Sequence, residues 1–157
     1  MTFKILFVCT GNICRSPLAE AVARHKLVKS GMKKSVIVDS AGTHGYHIGD
    51  RPDPRTLKIA HQNHIPTDGI VARQVKMDDF DAFDLILAMD NGHLRHLQAM
   101  ADPVYHPKIH LFLDYAGQGT LDVADPYYGS FSDFEDMYRV IDRAMETIEK
   151  WSFSKKI

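Results

Sequence analysis

Residues 3–27 constrain the fold most, because they predict a strand, a tight loop and a helix in immediate succession. Residues 3–8 form a short, mostly apolar run of strand-favouring side chains, as in a strand covered on both faces. Residues 9–15 break that pattern. Pro17 then suits the first position of a helix, and apolar residues recur at helical spacing as far as Leu27. This order is typical of an α/β fold.

The loop between strand and helix has the chemistry of an anion site. Backbone amides at a helix N-terminus favour a bound anion, and Arg15 adds a planar fork for two phosphate oxygens. Cys9, which five residues separate from Arg15, faces the same positive field, which favours a nucleophilic thiolate. A buried structural cysteine is the alternative. Gly11 and Asn12, which tolerate left-handed backbone, and the helix start at Ser16 favour a phosphate-binding loop.

The rest of the chain alternates between strand and helix patterns. Strands are predicted at residues 36–39, 85–89 and 108–113, in addition to 3–8. Helices are predicted from an Asp53 N-cap towards His64, over residues 91–100 behind Asp90, and after a capping box of Ser132 and Glu135. Such alternation predicts a three-layer, doubly wound α/β sandwich with a central four-stranded parallel sheet flanked by helices. Ligands of this architecture bind at the carboxyl ends of the strands, where Cys9 lies.

Composition is compatible with one domain spanning residues 1–157. Nineteen Lys and Arg residues nearly balance twenty Asp and Glu residues, so no surface for nucleic acid is expected. Two cysteines make no disulfide framework, and no apolar stretch could span a membrane or serve as a secretory signal. We therefore expect a cytoplasmic monomer that does not act at a membrane, although non-classical export leaves no mark in the sequence.

Five short blocks resemble the low-molecular-weight protein tyrosine phosphatases. They are VCTGNICRSP at residues 8–17, SAGT at 40–43, ARQ at 72–74, AMD at 88–90 and DPYYG at 125–129. The resemblance implies a phosphatase that hydrolyses tyrosine-phosphorylated proteins and small aryl phosphates through a phosphocysteine intermediate. It also implies no metal and no cofactor, and a loop that takes inorganic phosphate or other oxyanions.

The resemblance also assigns the general acid. Aspartate precedes proline three times, at Asp53, Asp102 and Asp125, and sequence chemistry alone does not choose among them. Asp53 and Asp102 suit turns or caps. The family's general acid matches Asp125, which would protonate the leaving phenolic oxygen while Cys9 attacks phosphorus.

Substrate-binding roles are implied for further residues. Those of the phosphate loop are Thr10, Gly11, Asn12, Ile13, Cys14 and Ser16, of which Ser16 would also donate to the thiolate or cap the helix. Tyr46, Ile13 and Tyr127 would form the walls of the slot for the aromatic ring, and Tyr128 would border it. Ordinary aromatic packing is the alternative for Tyr127 and Tyr128, and phosphorylation of either is a further hypothesis.

Three other functions compete with that of a tyrosine phosphatase. A protein arginine phosphatase of the same fold tends to have Thr where Ile13 stands and Phe where Tyr127 stands. Arsenate reductases with this loop use two further cysteines downstream, and this chain has none after Cys14. A phosphopeptide-binding module would need neither a nucleophile nor an acid.

Three secondary expectations concern residues around the loop. Cys14 could form a reversible, protective disulfide with Cys9, or be a small loop residue. The pairs His61/His64 and His93/His96 are expected on solvated helix faces rather than at a metal. Ile70 departs from the family pattern, which usually has a histidine there supporting Asn12, so the support of the loop is in question.

Overall fold

Four parallel strands and six α-helices make up most of the computed structural model, which describes residues 2–151. The strands are β1 Phe3–Cys9, β2 Val36–Gly42, β3 Leu85–Ala88 and β4 Ile109–Leu111. The α-helices are α1 Arg15–Lys29, α2 Pro54–Gln62, α3 Met77–Ala82, α4 Asn91–Met100, α5 Phe112–Tyr115 and α6 Phe131–Ala144. Two 3₁₀ helices, Pro103–Lys108 and Met145–Lys150, complete the order.

The sheet has the order β2-β1-β3-β4, with every neighbouring pair parallel. The chain leaves β1 towards β2 on one side and returns to β3 on the other. The carboxyl end of β1 is therefore the switch point, where a crevice opens between diverging connections. Cys9 is the last residue of β1 and pairs with Gly42.

Alternate side chains of β1 enter two separate cores, one on each face of the sheet. Ile5 and Phe7 pack in a cluster that includes residues of α1, α2, α5 and α6. Leu6 and Val8 pack in a second cluster with Phe80 of α3 and residues of α4. Both faces of the sheet are thus covered, which explains the unbroken apolar run from Ile5 to Cys9. The predicted three-layer α/β architecture is confirmed.

The predicted strands and helices are present with differences at their ends, whereas helices α3 and α5 were not predicted. β2 is longer than predicted and reaches Gly42, while β4 is shorter because helix α5 begins at Phe112. Helix α1 begins at Arg15, so Pro17 is its third residue rather than its first. Proline is tolerated there because the first amides of a helix have no intrahelical acceptor.

The N-terminus of α6 corrects the predicted capping box. The box is formed by Ser130 and Asp133, and the Ser130 amide donates to the Asp133 carboxylate at 2.9 Å. Ser132 and Glu135 satisfy the same sequence pattern two residues later but lie within the helix. The α-helix also ends at Ala144, although the apolar stripe continues to Ile148 through the 3₁₀ turn.

Within residues 2–151, none of the helices combines the length and the hydropathy that a membrane span requires.

Candidate active site

The loop of residues 9–15 curls tightly at the switch point. Asn12 adopts left-handed backbone, with φ of 58°. Gly11, which also tolerates this conformation, does not adopt it; a Cβ on it would lie 3.0 Å from the His47 ring. Gly42 passes so close that its Cβ would lie 2.6 Å from the Thr10 carbonyl oxygen. Only glycine at the end of β2 therefore allows this approach.

The segment after β2 holds the first half of the loop. The Thr43 amide donates to the Cys9 carbonyl at 2.8 Å, and the His44 amide donates to the Thr10 carbonyl at 3.0 Å. These bonds extend the pairing of β1 and β2 past the ends of both strands. The backbone around the nucleophile is therefore fixed by its neighbour in the sheet rather than by the loop alone.

The Cys9 thiol is buried, and its Sγ lies 2.9 Å from Ser16 Oγ. Asn12 Nδ2 donates to the same Ser16 Oγ at 2.7 Å. A thiolate can only accept a hydrogen bond, so Ser16 Oγ would be the donor to it; the Ala41 carbonyl, 3.4 Å from Oγ, is the other acceptor within reach of the hydroxyl. Ser16 lies inside α1 and is not its N-cap, a position that Cys14 occupies. The hydroxyl is thus placed to stabilise a thiolate at Cys9.

A buried polar network lies behind the loop. Asn12 Nδ2 also donates to Ser40 Oγ at 2.9 Å, and Ser40 Oγ donates to Glu20 Oε1 at 2.7 Å. Burial raises the pKa of Glu20 above its ordinary value, against the lowering effect of the Ser40 hydrogen bond. The Arg73 amide donates to Asn12 Oδ1 at 3.0 Å. Ile70, where a supporting histidine was missing, instead packs in the hydrophobic core. Asn12 is supported without it.

The Arg15 guanidinium is buried at the other end of the loop. Its Nη1 donates to Asp90 Oδ2 at 2.9 Å and to the Val123 carbonyl at 3.0 Å. Its Nη2 lies 3.7 Å from Asp125 Oδ2. Burial alone would raise the pKa of Asp90, but the His93 amide and Arg15 hold it below its ordinary value. Asp90 therefore stays ionised and orients the arginine.

A cavity of about 330 Å³ opens above the loop. Ten of the twelve predicted site residues line it: Cys9, Thr10, Gly11, Ile13, Cys14, Arg15, Tyr46, Asp125, Tyr127 and Tyr128. The side chains of Asn12 and Ser16 hydrogen-bond to each other on the far side of the loop from the cavity and support it. The sequence prediction missed His47, which completes the lining. Its position in the polar segment after β2, close to Tyr46, was the available signal.

Of the three Asp-Pro aspartates, only Asp125 lines this cavity. Its carboxylate is half exposed and accepts a hydrogen bond from the Tyr127 amide at 3.0 Å. Asp53 and Asp102 cap helices, as predicted: Asp53 accepts from the Arg55 amide and Asp102 from the Val104 amide. The structure therefore separates Asp125 from two cap residues, a choice that the family resemblance had made but sequence chemistry alone had not.

The aromatic rim is held on one side and open on the other. The Arg55 guanidinium lies 5.5 Å from the centre of the Tyr127 ring, and Tyr127 meets the Tyr128 ring edge to face. Tyr128 is 94% exposed, so it is free to meet a bound molecule. Tyr46 comes from the segment that follows β2. It is also exposed, and its ring stacks on that of His44.

Cys14 is a buried free thiol, as is Cys9. Burial, together with the Asp53 carboxylate, raises the pKa of Cys14 to about 12. Cys14 is therefore protonated at neutral pH. The hypothesis of a protective Cys9–Cys14 disulfide stays a prediction.

The expectation of solvated histidine faces is wrong for His93. His93 is 5% exposed, and its Nε2 lies 2.7 Å from Thr10 Oγ1. His64 is exposed as expected but lies outside α2, with left-handed backbone. Helical spacing put His93 and His96 on one face, but the phosphate loop packs against only the first turn of α4. Among residues 2–151, no group of three or more His, Cys, Asp or Glu side chains is arranged to hold a metal ion.

Comparison with known proteins gives consistent similarities. A family model described as low molecular weight phosphotyrosine protein phosphatase matches residues 4–155. The enzyme of that name from Schizosaccharomyces pombe is 44% identical over 137 residues, covering 86% of this chain and 87% of its own. The crystal structure of YfkJ from Bacillus subtilis has a TM-score of 0.91 at 40% identity, covering 99% of this chain and 97% of that one. A Drosophila arginine phosphatase structure has a TM-score of 0.85 at 34% identity, covering 94% and 96%.

Proposed function

The chain belongs to the low molecular weight phosphotyrosine protein phosphatase family, and we propose that it hydrolyses phosphotyrosine in proteins, and small aryl phosphates, through a phosphocysteine intermediate. The observation that carries this proposal is the meeting of three groups at one cavity. Cys9 lies at its base, Arg15 at the end of the loop, and Asp125 within 3.7 Å of Arg15. A nucleophile, an anion-binding fork and a proton donor are what phosphoryl transfer from an aryl ester requires.

In the first step the Cys9 thiolate attacks phosphorus, and the bond between phosphorus and the phenolic oxygen breaks. Asp125 gives its proton to that oxygen, so neutral tyrosine leaves. Arg15 and the amides of the loop bind the three equatorial oxygens, where charge is spread in the transition state. Asp90 and the Val123 carbonyl hold the guanidinium in place before substrate arrives.

In the second step Asp125, now ionised, takes a proton from a water molecule that attacks the phosphocysteine. The bond between sulfur and phosphorus breaks, and inorganic phosphate leaves. Cys9 departs as a thiolate, for which Ser16 Oγ at 2.9 Å is the hydrogen-bond donor. The side chains that line the cavity supply the nucleophile, the acid and the anion-binding groups of both steps.

The choice of an aryl phosphate is supported by the rim. Ile13, Tyr46 and Tyr127 line the cavity above the thiol, so a flat ring would be enclosed while its phosphate reaches the loop. Two free cysteines support a reducing, cytoplasmic location. The family match over residues 4–155 supports a single domain. The protein would act as a monomer, without metal or cofactor.

The test is phosphate release from a phosphotyrosine peptide in EDTA and dithiothreitol, comparing the wild type with Cys9→Ser. Phosphoserine and phosphoarginine substrates run in parallel. EDTA-resistant release from phosphotyrosine that is lost in Cys9→Ser would support the proposal. Preference for phosphoarginine would move the assignment to the arginine phosphatase activity. No release from any substrate would refute it, and arsenate reduction would be tested next.

A further inference from the structure

His93 is a buried histidine that the proposed reaction does not use. It lies in the first turn of α4, and its Nε2 is 2.7 Å from the Thr10 hydroxyl of the phosphate loop. Its other ring nitrogen, Nδ1, has no hydrogen-bond partner among the described residues. Nδ1 lies 3.2 Å from Asp90 Oδ1 without the alignment of a hydrogen bond. Burying a polar ring is costly unless its contacts compensate, and the contact with Thr10 is the ring's hydrogen bond.

Asp90 connects the same turn of α4 to the other end of the loop. Its Oδ1 accepts the His93 amide at 2.8 Å, and its Oδ2 accepts Arg15 Nη1 at 2.9 Å. The first turn of α4 therefore holds the phosphate loop at two points. Thr10 directly follows the nucleophile, and Arg15 is the group that binds the transferred phosphoryl oxygens.

The contact of His93 is geometric rather than electrostatic. Burial lowers the pKa of His93 to about 4, and the Arg15 charge adds to this effect. The ring is therefore neutral near pH 7 and has one donor and one acceptor nitrogen. The Thr10 hydroxyl can pair with either, because it both donates and accepts. His93 thus orients the loop without placing a second positive charge beside Arg15.

We propose that His93 is a positioning residue for phosphoryl transfer: with Asp90, it sets the distance between Thr10 and Arg15 across the loop. This inference rests on the proposed function. The equatorial oxygens spread apart as phosphorus becomes five-coordinate, so loop geometry matters more in the transition state than in the bound substrate. Loss of the His93 contact should therefore lower kcat more than it raises KM.

The main test compares His93→Phe with His93→Gln and with the control His96→Phe. Phenylalanine keeps a ring but removes the hydrogen bond, whereas the glutamine amide reaches about as far as Nε2. His96 is exposed, one turn further along the same helix, and does not line the cavity. We expect kcat to fall about fivefold in His93→Phe, the effect of one neutral hydrogen bond, with KM changed less than twofold. His93→Gln should recover most of the loss, and His96→Phe should match the wild type.

A second variant keeps the test independent of how well phenylalanine fits. Thr10→Val removes the hydroxyl that His93 contacts and preserves the shape of the side chain. It should show the same fall in kcat, and the double variant should lose no more than either single one. Additive losses, an unaffected Thr10→Val, or an equal rise in KM would overturn the inference.

Calorimetric binding of inorganic vanadate, compared with inorganic phosphate, separates this inference from the proposed function. Vanadate adopts the five-coordinate geometry, and phosphate does not. His93→Phe should weaken vanadate binding about fivefold and phosphate binding less. If the wild type bound vanadate but released no phosphate from any substrate, the proposed function alone would fail. Equal affinity of His93→Phe and the wild type for vanadate would refute the positioning role alone.

Discussion

Replacing Ser16 with alanine tests how the loop stabilises the sulfur of Cys9. Ser16 Oγ lies 2.9 Å from Sγ and 3.4 Å from the Ala41 carbonyl, and because a thiolate can only accept, Ser16 is the donor to the ionised sulfur. A hydrogen bond to a charged group contributes about 1.5–3 kcal/mol. The thiolate is the leaving group when phosphocysteine is hydrolysed, so losing this hydrogen bond should slow that step. Since each 1.36 kcal/mol is tenfold in rate, we expect kcat to fall about 10- to 150-fold.

The assay is stopped-flow release of p-nitrophenol from p-nitrophenyl phosphate, which separates the two steps. Slower hydrolysis of the intermediate should give a larger initial burst followed by a slower steady state. Ser40→Ala is the matched control, because Ser40 bonds to the same Asn12 Nδ2 but not to the sulfur. Its kcat should fall about fivefold at most, as for a neutral hydrogen bond. Ser16→Ala kinetics within twofold of the wild type, or equal to those of Ser40→Ala, would refute the reasoning.

Three further predictions follow from the site. Asp125→Asn should lower kcat on a phosphotyrosine peptide by about 10²- to 10⁴-fold and less on p-nitrophenyl phosphate, whose leaving group needs no proton; Asp102→Asn, a cap outside the cavity, should have no effect, and equal losses on both substrates would argue against Asp125 as the acid. Because the pKa of Glu20 is raised in the folded protein, the free energy of unfolding falls as the pH rises from the ordinary pKa of 4.5 through the raised one. Glu20→Gln should therefore raise Tm at pH 7, by roughly 2–4 °C if the gain is about 1 kcal/mol, and not at pH 4; a constant difference in calorimetric scans would contradict this. Peroxide inactivation should be reversed by dithiothreitol in the wild type but not in Cys14→Ser, and equal recovery in both would exclude the protective disulfide.

A feature could be predicted from the sequence when the residues that indicate it are contiguous in the chain. The phosphate loop could be predicted because strand, loop and helix start occur within one short segment, where local backbone preferences and residue chemistry agree. The strand pattern and the Asp53 and Asp90 caps could be predicted for the same reason. The Ser130 capping box was missed because two overlapping segments satisfy one pattern, and only the path of the incoming chain selects between them.

The sequence by itself determined the α/β alternation, the phosphate loop at the end of β1 and the chemistry of Cys9 and Arg15. Only the tertiary structure brought Asp125 to within 3.7 Å of Arg15 and buried His93 against Thr10. The physical reason is that these contacts join residues about 80 to 110 positions apart. Helical spacing states which side chains share a face, but not which part of the chain covers that face. That is decided when β3 aligns beside β1 and places the first turn of α4 against the loop.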